Sequence, residues 1–340
     1  MYRNAGERAA TIADVANLAG VSQAAVSKVI RNAYGVSPAM KSKVRAAIEQ
    51  LHYRPRVAAR AMRGSSFTLG IELPSLHNQF LAEILDGASS AIAGTGYQLL
   101  VAPTRTNDDA VNAIETLMDQ QVDGILTIAP LVSTGWLERV AERVPLVTLG
   151  LHTRSNSFDC VVGDDIHGTQ LAMEHLFQLG HRKIAHLTRA EQVTDARTGT
   201  THAVRLAEYQ SFMRAHDLAD EVRVIRASEA DHSGADVVGA ALKNQYASAI
   251  FAGDDDLAIG ALQATRNPGT DWASVAVVGY DNAAIAGHPL VGLTTVDQDA
   301  HRMGRTAIEL LTERIAGRTE ARTEVIPVKL IERSTSRVGR

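Results

Sequence analysis

The chain has 340 residues, 45% hydrophobic and 21% charged, the balance of a globular protein whose length exceeds what one hydrophobic core serves. No apolar run is long enough to span a bilayer, and the lone Cys160 excludes an internal disulfide and fits a reducing cytoplasm. The net charge of −4 is unevenly spread: residues 1–64 carry eleven Lys and Arg against Glu7, Asp14 and Glu49, so a basic head precedes an acidic body. This distribution suits a polyanion partner for the head alone, and charge by itself is equally met by a solvated basic surface.

Residues 1–10 read as a loose tail without a signal-peptide pattern. Thr11-Ile-Ala-Asp14 then has the form of a capping box, and Ile12, Val15, Ala16 and Ala19 recur at helical spacing. Gly20 stands where a left-handed cap ends a helix, and Ser22 caps a second one. In that second helix Val26, Val29 and Ile30 are expected to face inward, with Gln23, Ala24, Ser27, Lys28 and Arg31 opposite. Ser37 and Pro38 open a third helix, striped by Val44, Ala47, Ile48 and Leu51. Helix, glycine turn, helix and a supporting third helix form the arrangement that presents a recognition helix to the major groove. Gln23 can pair with adenine and Lys28 with guanine, while Ser37, Lys41, Arg45 and Tyr53 are placed for phosphates. Periodicity by itself is equally met by a generic three-helix bundle.

The run from Thr11 to Asn32, with Val36-Ser-Pro and Ala47-Ile-Glu-Gln-Leu-His-Tyr-Arg-Pro55, resembles the headpiece of the lactose-repressor family. The resemblance implies a headpiece over residues 11–54 that touches DNA through Thr11, Ser22, Gln23, Ala24, Ala25, Ser27, Lys28, Arg31 and the phosphate-facing set. It also implies a hinge helix over residues 55–64 that orders in the minor groove, with Ala59 lining the contact and Met62 as the wedge. Alanine and arginine favour a helix there, but the segment is too short to be stable alone.

From Phe67 onward, short apolar runs alternate with amphipathic stretches. Strands are expected at 68–74, 98–102, 124–127, 146–149, 161–162, 183–187, 222–225, 249–252 and 275–280, with helices between them. Such alternation argues for doubly wound parallel sheets, whose ligands sit beyond the carboxyl ends of the strands. Residues 65–340 resemble the two-lobed periplasmic sugar-binding-protein fold that the repressor family carries. Marker runs are Val122-Asp-Gly-Ile, Glu174–Ala185, Val277–Asn282 and Leu293–Gln298. The resemblance implies three crossings between lobes, placed near Gly163, Thr294 and Thr323. The first lobe is then about 65–162 and 295–322, and the second about 163–293 and 323–340.

By the same resemblance, Asn78, Phe80, Arg205, Asp254, Asp281 and Gln298 would hold an effector, with His167 as a weaker candidate. Carboxylates accept pairs of hydrogen bonds from vicinal hydroxyls and arginine donates to oxygens, so a sugar or polyol is the expected effector class. Asp164, Asp165 and Asp256 read as helix caps or solvated charges. No nucleophile elbow, Walker loop, dinucleotide fingerprint or metal spacing appears, so no enzyme, cofactor or metal is expected. The implied function is a cytoplasmic, homodimeric DNA-binding repressor under effector control. The alternatives are an exported solute-binding protein, which lacks use for a basic head, and a doubly wound enzyme, which lacks a catalytic motif.

Overall fold

The computed structural model describes residues 10–30, 34–53, 65–104, 107–227, 234–243, 247–266 and 271–337. The chain divides into two compact units, Met1–Ser66 and Phe67–Arg340. The expected hinge helix, with Ala59 and Met62, lies outside the described residues, as does Arg31.

The first unit is three helices: α1 (Ile12–Ala19), α2 (Gln23–Ile30) and α3 (Pro38–Gln50). Thr11 and Asp14 close the expected capping box, the Thr11 amide donating to Asp14 Oδ2 at 2.7 Å. Gly20 ends α1 at φ +64, a conformation in which a side chain would crowd the following carbonyl. Val15, Ala16, Val26, Val29, Val44, Ala47 and Tyr53 form the small core, and Ile30, expected inward, is exposed instead.

The second unit holds two parallel sheets. Its first lobe runs β1 (Thr68–Leu73), α4 (Gln79–Ile92), β2 (Gln98–Pro103), α5 (Asn107–Asp119), β3 (Gly124–Ile128), α6 (Thr134–Ala141), β4 (Leu146–Leu149) and β5 (Asp159–Gly163). The second runs α7 (Asp165–Gln178), β6 (Ile184–Thr188), α8 (Glu191–Thr194), α9 (Thr201–Ala215), β7 (Arg223–Arg226), α10 (Ala235–Leu242), β8 (Ala249–Ala252), α11 (Asp255–Thr265), β9 (Ala276–Asp281) and β10 (Thr294–Asp297). The chain returns to the first lobe with α12 (Ala300–Ile315) and β11 (Thr323–Ile326), and ends on β12 (Lys329–Ile331) of the second. Strand orders are β11-β5-β4-β3-β1-β2 and β12-β10-β9-β8-β6-β7, all parallel except β12 against β10. Strands such as β3, β4, β6 and β8 are buried throughout, since helices cover both faces.

Sheet membership shifts two of the expected crossings. Thr294–Asp297 pairs with Val278–Asp281, so the second crossing falls after Asp297 rather than at Thr294. Thr323–Ile326 pairs with Cys160–Gly163, so the third falls after Ile326 rather than at Thr323. An apolar run marks a strand but does not say which sheet it joins, which is why the sequence misplaced both.

Glu72 is the odd residue of β1. It points into the first lobe's interior, only 1% exposed, where the Thr104 hydroxyl donates to it at 3.3 Å and the Thr127 hydroxyl donates to its other oxygen. Burial pushes its carboxyl up to about 7, and the hydroxyls that donate to it offset only part of the lost hydration. An acid raised in the folded state contributes stability that is fully present below its unfolded value near 4.5 and is lost as pH rises through 7. Glu72→Gln removes the ionisation but keeps a hydrogen-bonding head. Urea denaturation is expected to find the variant equal to the parent near pH 4.5 and more stable by about 2–3 kcal/mol at pH 8. A parent whose stability does not fall relative to Glu72→Gln across that range would contradict this.

Candidate DNA-binding and effector sites

In the first unit, Ser22 caps α2 by accepting from the Ala25 amide at 3.2 Å, and Ser37 caps α3 by accepting from Met40 at 3.3 Å. Packing Val26 and Val29 inward leaves Ser22, Gln23, Ala24 and Lys28 exposed on one surface, with Ala25 at its edge. Arg45 is exposed on α3, Lys41 half-buried beside it, and Thr11 half-buried at the start of α1. Two expected DNA contacts are placed differently. Ser27 is 7% exposed and belongs to the inner side of α2, and Tyr53, at 9%, packs into the helical core. Both lie on the apolar side of their segments, and a polar atom on an aromatic or a small hydroxyl does not by itself bring a side chain to the surface.

In the second unit, the carboxyl ends of both sheets face one another. Asn78, which caps α4, donates from Nδ2 to Asp256 Oδ2 at 3.0 Å, and the Ile285 amide donates to Gln79 Oε1 at 3.0 Å. On the opposite rim, Leu151 bridges Thr200, and His152 Nε2 donates to Asp165 Oδ2 at 2.6 Å. Between the rims lies a buried network. Arg205 donates through Nε to Asp165 at 2.7 Å, through one terminal nitrogen to the Gly253 carbonyl at 2.6 Å, and through the other to Gln298 Oε1 at 3.1 Å. Its guanidinium also lies 3.6 Å from the centre of the Tyr280 ring. Gln298 Nε2 donates to Asp281 Oδ1 at 2.6 Å. Asp281 sits at φ +123, a strained conformation costing of order 1–3 kcal/mol that such anchoring sustains.

A second arginine completes the floor. Arg189, just past β6, grips Asp254 Oδ2 through Nε at 2.8 Å and a terminal nitrogen at 2.6 Å. Asp254 Oδ1 accepts from the Leu257 amide at 2.8 Å, capping α11, and His202 Nε2 stands 3.5 Å from Oδ2. Burial opposes charge on Asp254, but Arg189 beside it and the Leu257 amide hold its carboxyl below its ordinary value. Burial likewise opposes the charge on Asp165, and Arg205 and His152 overcome it. Burial pushes Asp255 up to about 7 and Asp281 well above the carboxylate range, and it pushes His202 down to about 3. Each guanidinium of the floor is thus paired with a carboxylate, Arg205 with Asp165 and Arg189 with Asp254, while burial favours the uncharged forms of Asp255, Asp281 and His202.

The structure brings Arg205, Asp281 and Gln298 into one network, with Asp254 beside them and Asn78 at the rim. His167 is exposed on α7, away from the buried network, and Phe80 packs against the first lobe's core. Asp164 caps α7, accepting from the His167 amide at 3.1 Å, but Asp165 is fully buried as the partner of Arg205 and His152, neither the cap nor the solvated charge expected. Arg189, His202 and His152 were not found from sequence. Arg189 lies two residues past the apolar run 183–187 and His152 three past the run 146–149, but such a position does not distinguish a buried pair from a solvated charge.

Comparison with known proteins fits both units. The model of bacterial regulatory proteins of the lacI family matches residues 11–56, and a periplasmic binding protein-like domain matches residues 173–336. The ribose operon repressor of Escherichia coli (strain K12) is 31% identical over 338 residues, covering 96% of this chain and all of that protein. The HTH-type transcriptional repressor PurR of Vibrio atlanticus is 31% identical over 339 residues, covering 96% of this chain and 98% of that one. Among solved structures, the lac repressor dimer bound to operator and the anti-inducer ONPF is similar with a TM-score of 0.80 at 26% identity, covering 97% of this chain and 99% of that one. A CelR–cellobiose complex is similar with a TM-score of 0.66 at 28% identity, covering 96% and 99%.

Proposed function

The chain belongs to the lacI family of bacterial regulatory proteins, and we propose that it acts in the cytoplasm as a homodimeric repressor whose hold on near-palindromic operator DNA is set by a neutral sugar or polyol. Two headpieces read half-sites through α2, and the effector enters between the lobes of the second unit. The observation that carries the effector class is the charge balance of the cleft floor: Arg189 and Arg205 are neutralised by Asp254 and Asp165. Each guanidinium is already matched by a carboxylate and so is not left to an anionic ligand, while Asp281, Gln298 and Asn78 offer hydroxyl-matching groups. Two of the similar proteins fit this class, one being a repressor named for ribose and one a complex with cellobiose. Among the described residues no three His, Cys, Asp or Glu side chains gather as metal ligands.

A thermal-shift screen of the purified protein against pentoses, hexoses, disaccharides, polyols and purine bases tests this reading. At least one neutral polyhydroxyl compound is expected to raise the melting temperature, and Asp281→Ala is expected to remove that rise. A response confined to purine bases, or to charged compounds, would rule the sugar class out.

A further inference from the structure

The lobes of the second unit also meet at a contact that lies outside the effector floor. Just past Asp281, the second lobe forms a short 3-10 turn, Ala284–Gly287. Ala283 precedes that turn and carries no side chain that could accept from its leading amides. A serine, threonine or aspartate ordinarily does so, and an amide shielded from water without an acceptor is costly. The first lobe supplies the acceptors instead. Gln79 and Glu83 stand one turn apart on one face of α4. The Ile285 amide donates to Gln79 Oε1 at 3.0 Å, and the Glu83 carboxylate lies against the Ala284 amide. The preceding amide, that of Ala283, donates to Asp255 Oδ2 at 2.8 Å within its own lobe. Three consecutive amides thus find acceptors, two of them on the far side of the cleft.

We propose that Gln79 and Glu83 are positioning residues that clasp the lobes by capping this turn across the cleft, so that closure does not wait for an effector. Opening returns both amides to water, so each bond counts only for its net contribution, which shifts a closed–open ratio by roughly two- to tenfold. Two such bonds bias the equilibrium without locking it, and a ligand still enters through the open form. The clasped segment is firmly seated in its own lobe. The Asn282 amide donates to Thr295 Oγ1 at 3.3 Å, and Arg333 donates to Asn282 Oδ1 at 2.7 Å. Pulling on Ala284 and Ile285 therefore draws on the lobe as a body rather than on a loose loop. Because Asp281 leads directly into this segment, a ligand engaging it acts beside the clasp. That regulatory meaning rests on the effector reading above, whereas the clasp itself does not.

The test is a distance measurement between spin labels on the full-length protein without ligand. Glu115→Cys on α5 and Gln263→Cys on α11 place one exposed label in each lobe, and the buried native Cys160 stays unlabelled. Labelled protein is exchanged into an excess of unlabelled protein, so that distances within one chain dominate. The parent is expected to give one narrow distribution. Gln79→Met combined with Glu83→Ala, which removes both acceptors, is expected to add a second population displaced by a few ångströms. Methionine keeps the length of glutamine, so the change at Gln79 reports the lost acceptor rather than lost bulk. Glu83→Gln, which keeps an oxygen for the Ala284 amide, is expected to match the parent. Superimposable distributions for the parent and the folded double variant would overturn the clasp, and so would a parent already spread over several populations. Gln79 is exposed, so Gln79→Met alone decides the matter if the double variant fails to fold. A failed effector screen would leave this result standing, because no ligand enters the measurement.

Discussion

Gly304→Ala is expected to cost the second unit most of its stability, on the order of 4–5 kcal/mol or more, although a single methyl group is added. Helices α4 and α12 cross at two glycines. A Cβ at Gly304 would lie 2.0 Å from the Ile84 carbonyl oxygen, and one at Gly87 would lie 2.0 Å from the His301 carbonyl oxygen. The obstructing atoms are backbone within helices, so no side-chain rotation relieves the contact, and the helices must separate. Separation uncovers the core they share, which includes Leu81, Ile84, Met303, Ala307, Ile308 and Leu311. Overpacking of this kind normally costs 1–3 kcal/mol, and a collision with backbone exceeds that range. Gly239→Ala in α10 is the matched control, since a Cβ there meets nothing within 4 Å. It should be neutral or stabilising by about 0.4–1 kcal/mol through the unfolded chain. Urea denaturation followed by circular dichroism reads both, and a Gly304→Ala midpoint near that of Gly239→Ala would refute the account.

That crossing also shows where the sequence is legible and where it is not. The headpiece was readable because its signals are local: the Thr11–Asp14 box, the Gly20 cap and the Ser37-Pro38 start all form within four residues. The alternation through Tyr280 was readable because each buried strand is a short apolar run. Past Tyr280 the expected elements stopped, yet α12 follows, with Met303, Ala307, Ile308 and Leu311 at helical spacing on its buried face. What no local signal carried was the pairing of distant segments. The parallel registers of Thr294 with Val278 and of Thr323 with Cys160 are tertiary facts, and they moved two crossings. The cleft obeys the same rule. Resemblance drew attention to Asp254, but its partner Arg189 lies 65 positions away in sequence. Burial likewise turned Asp165 from an ordinary cap-region acid into the partner of Arg205 and His152.

Arg189→Ala is expected to destabilise the second unit by about 3–5 kcal/mol at pH 8, because it strands the Asp254 carboxylate in a site that water barely reaches. Asp254 cannot withdraw, since its Oδ1 caps α11 through Leu257 at 2.8 Å. Relief must come from a proton. His202 is held down to about 3 by burial and by the neighbouring cations Arg205 and Arg189, against the pull of Asp254. Removing Arg189 deletes one of those opposing charges and leaves Asp254 facing the imidazole at 3.5 Å. His202 should then take up a proton in the folded state, so its value rises towards or beyond the ordinary 6.5. A histidine raised in this way contributes stability that is present at low pH and lost as pH rises through its folded value. The deficit of Arg189→Ala relative to the parent should therefore shrink between pH 8 and pH 5.5. Adding Asp254→Asn to Arg189→Ala removes the stranded charge and should recover much of the loss at pH 8, with little left for pH to change. Denaturation of the parent, both single variants and the double variant at the two pH values gives the cycle. An Arg189→Ala deficit that is the same at both, or is not recovered by Asp254→Asn, would mean that the arginine does not act through this carboxylate. In that case the charge balance that points to a neutral effector would have to be drawn again without the Arg189–Asp254 pair.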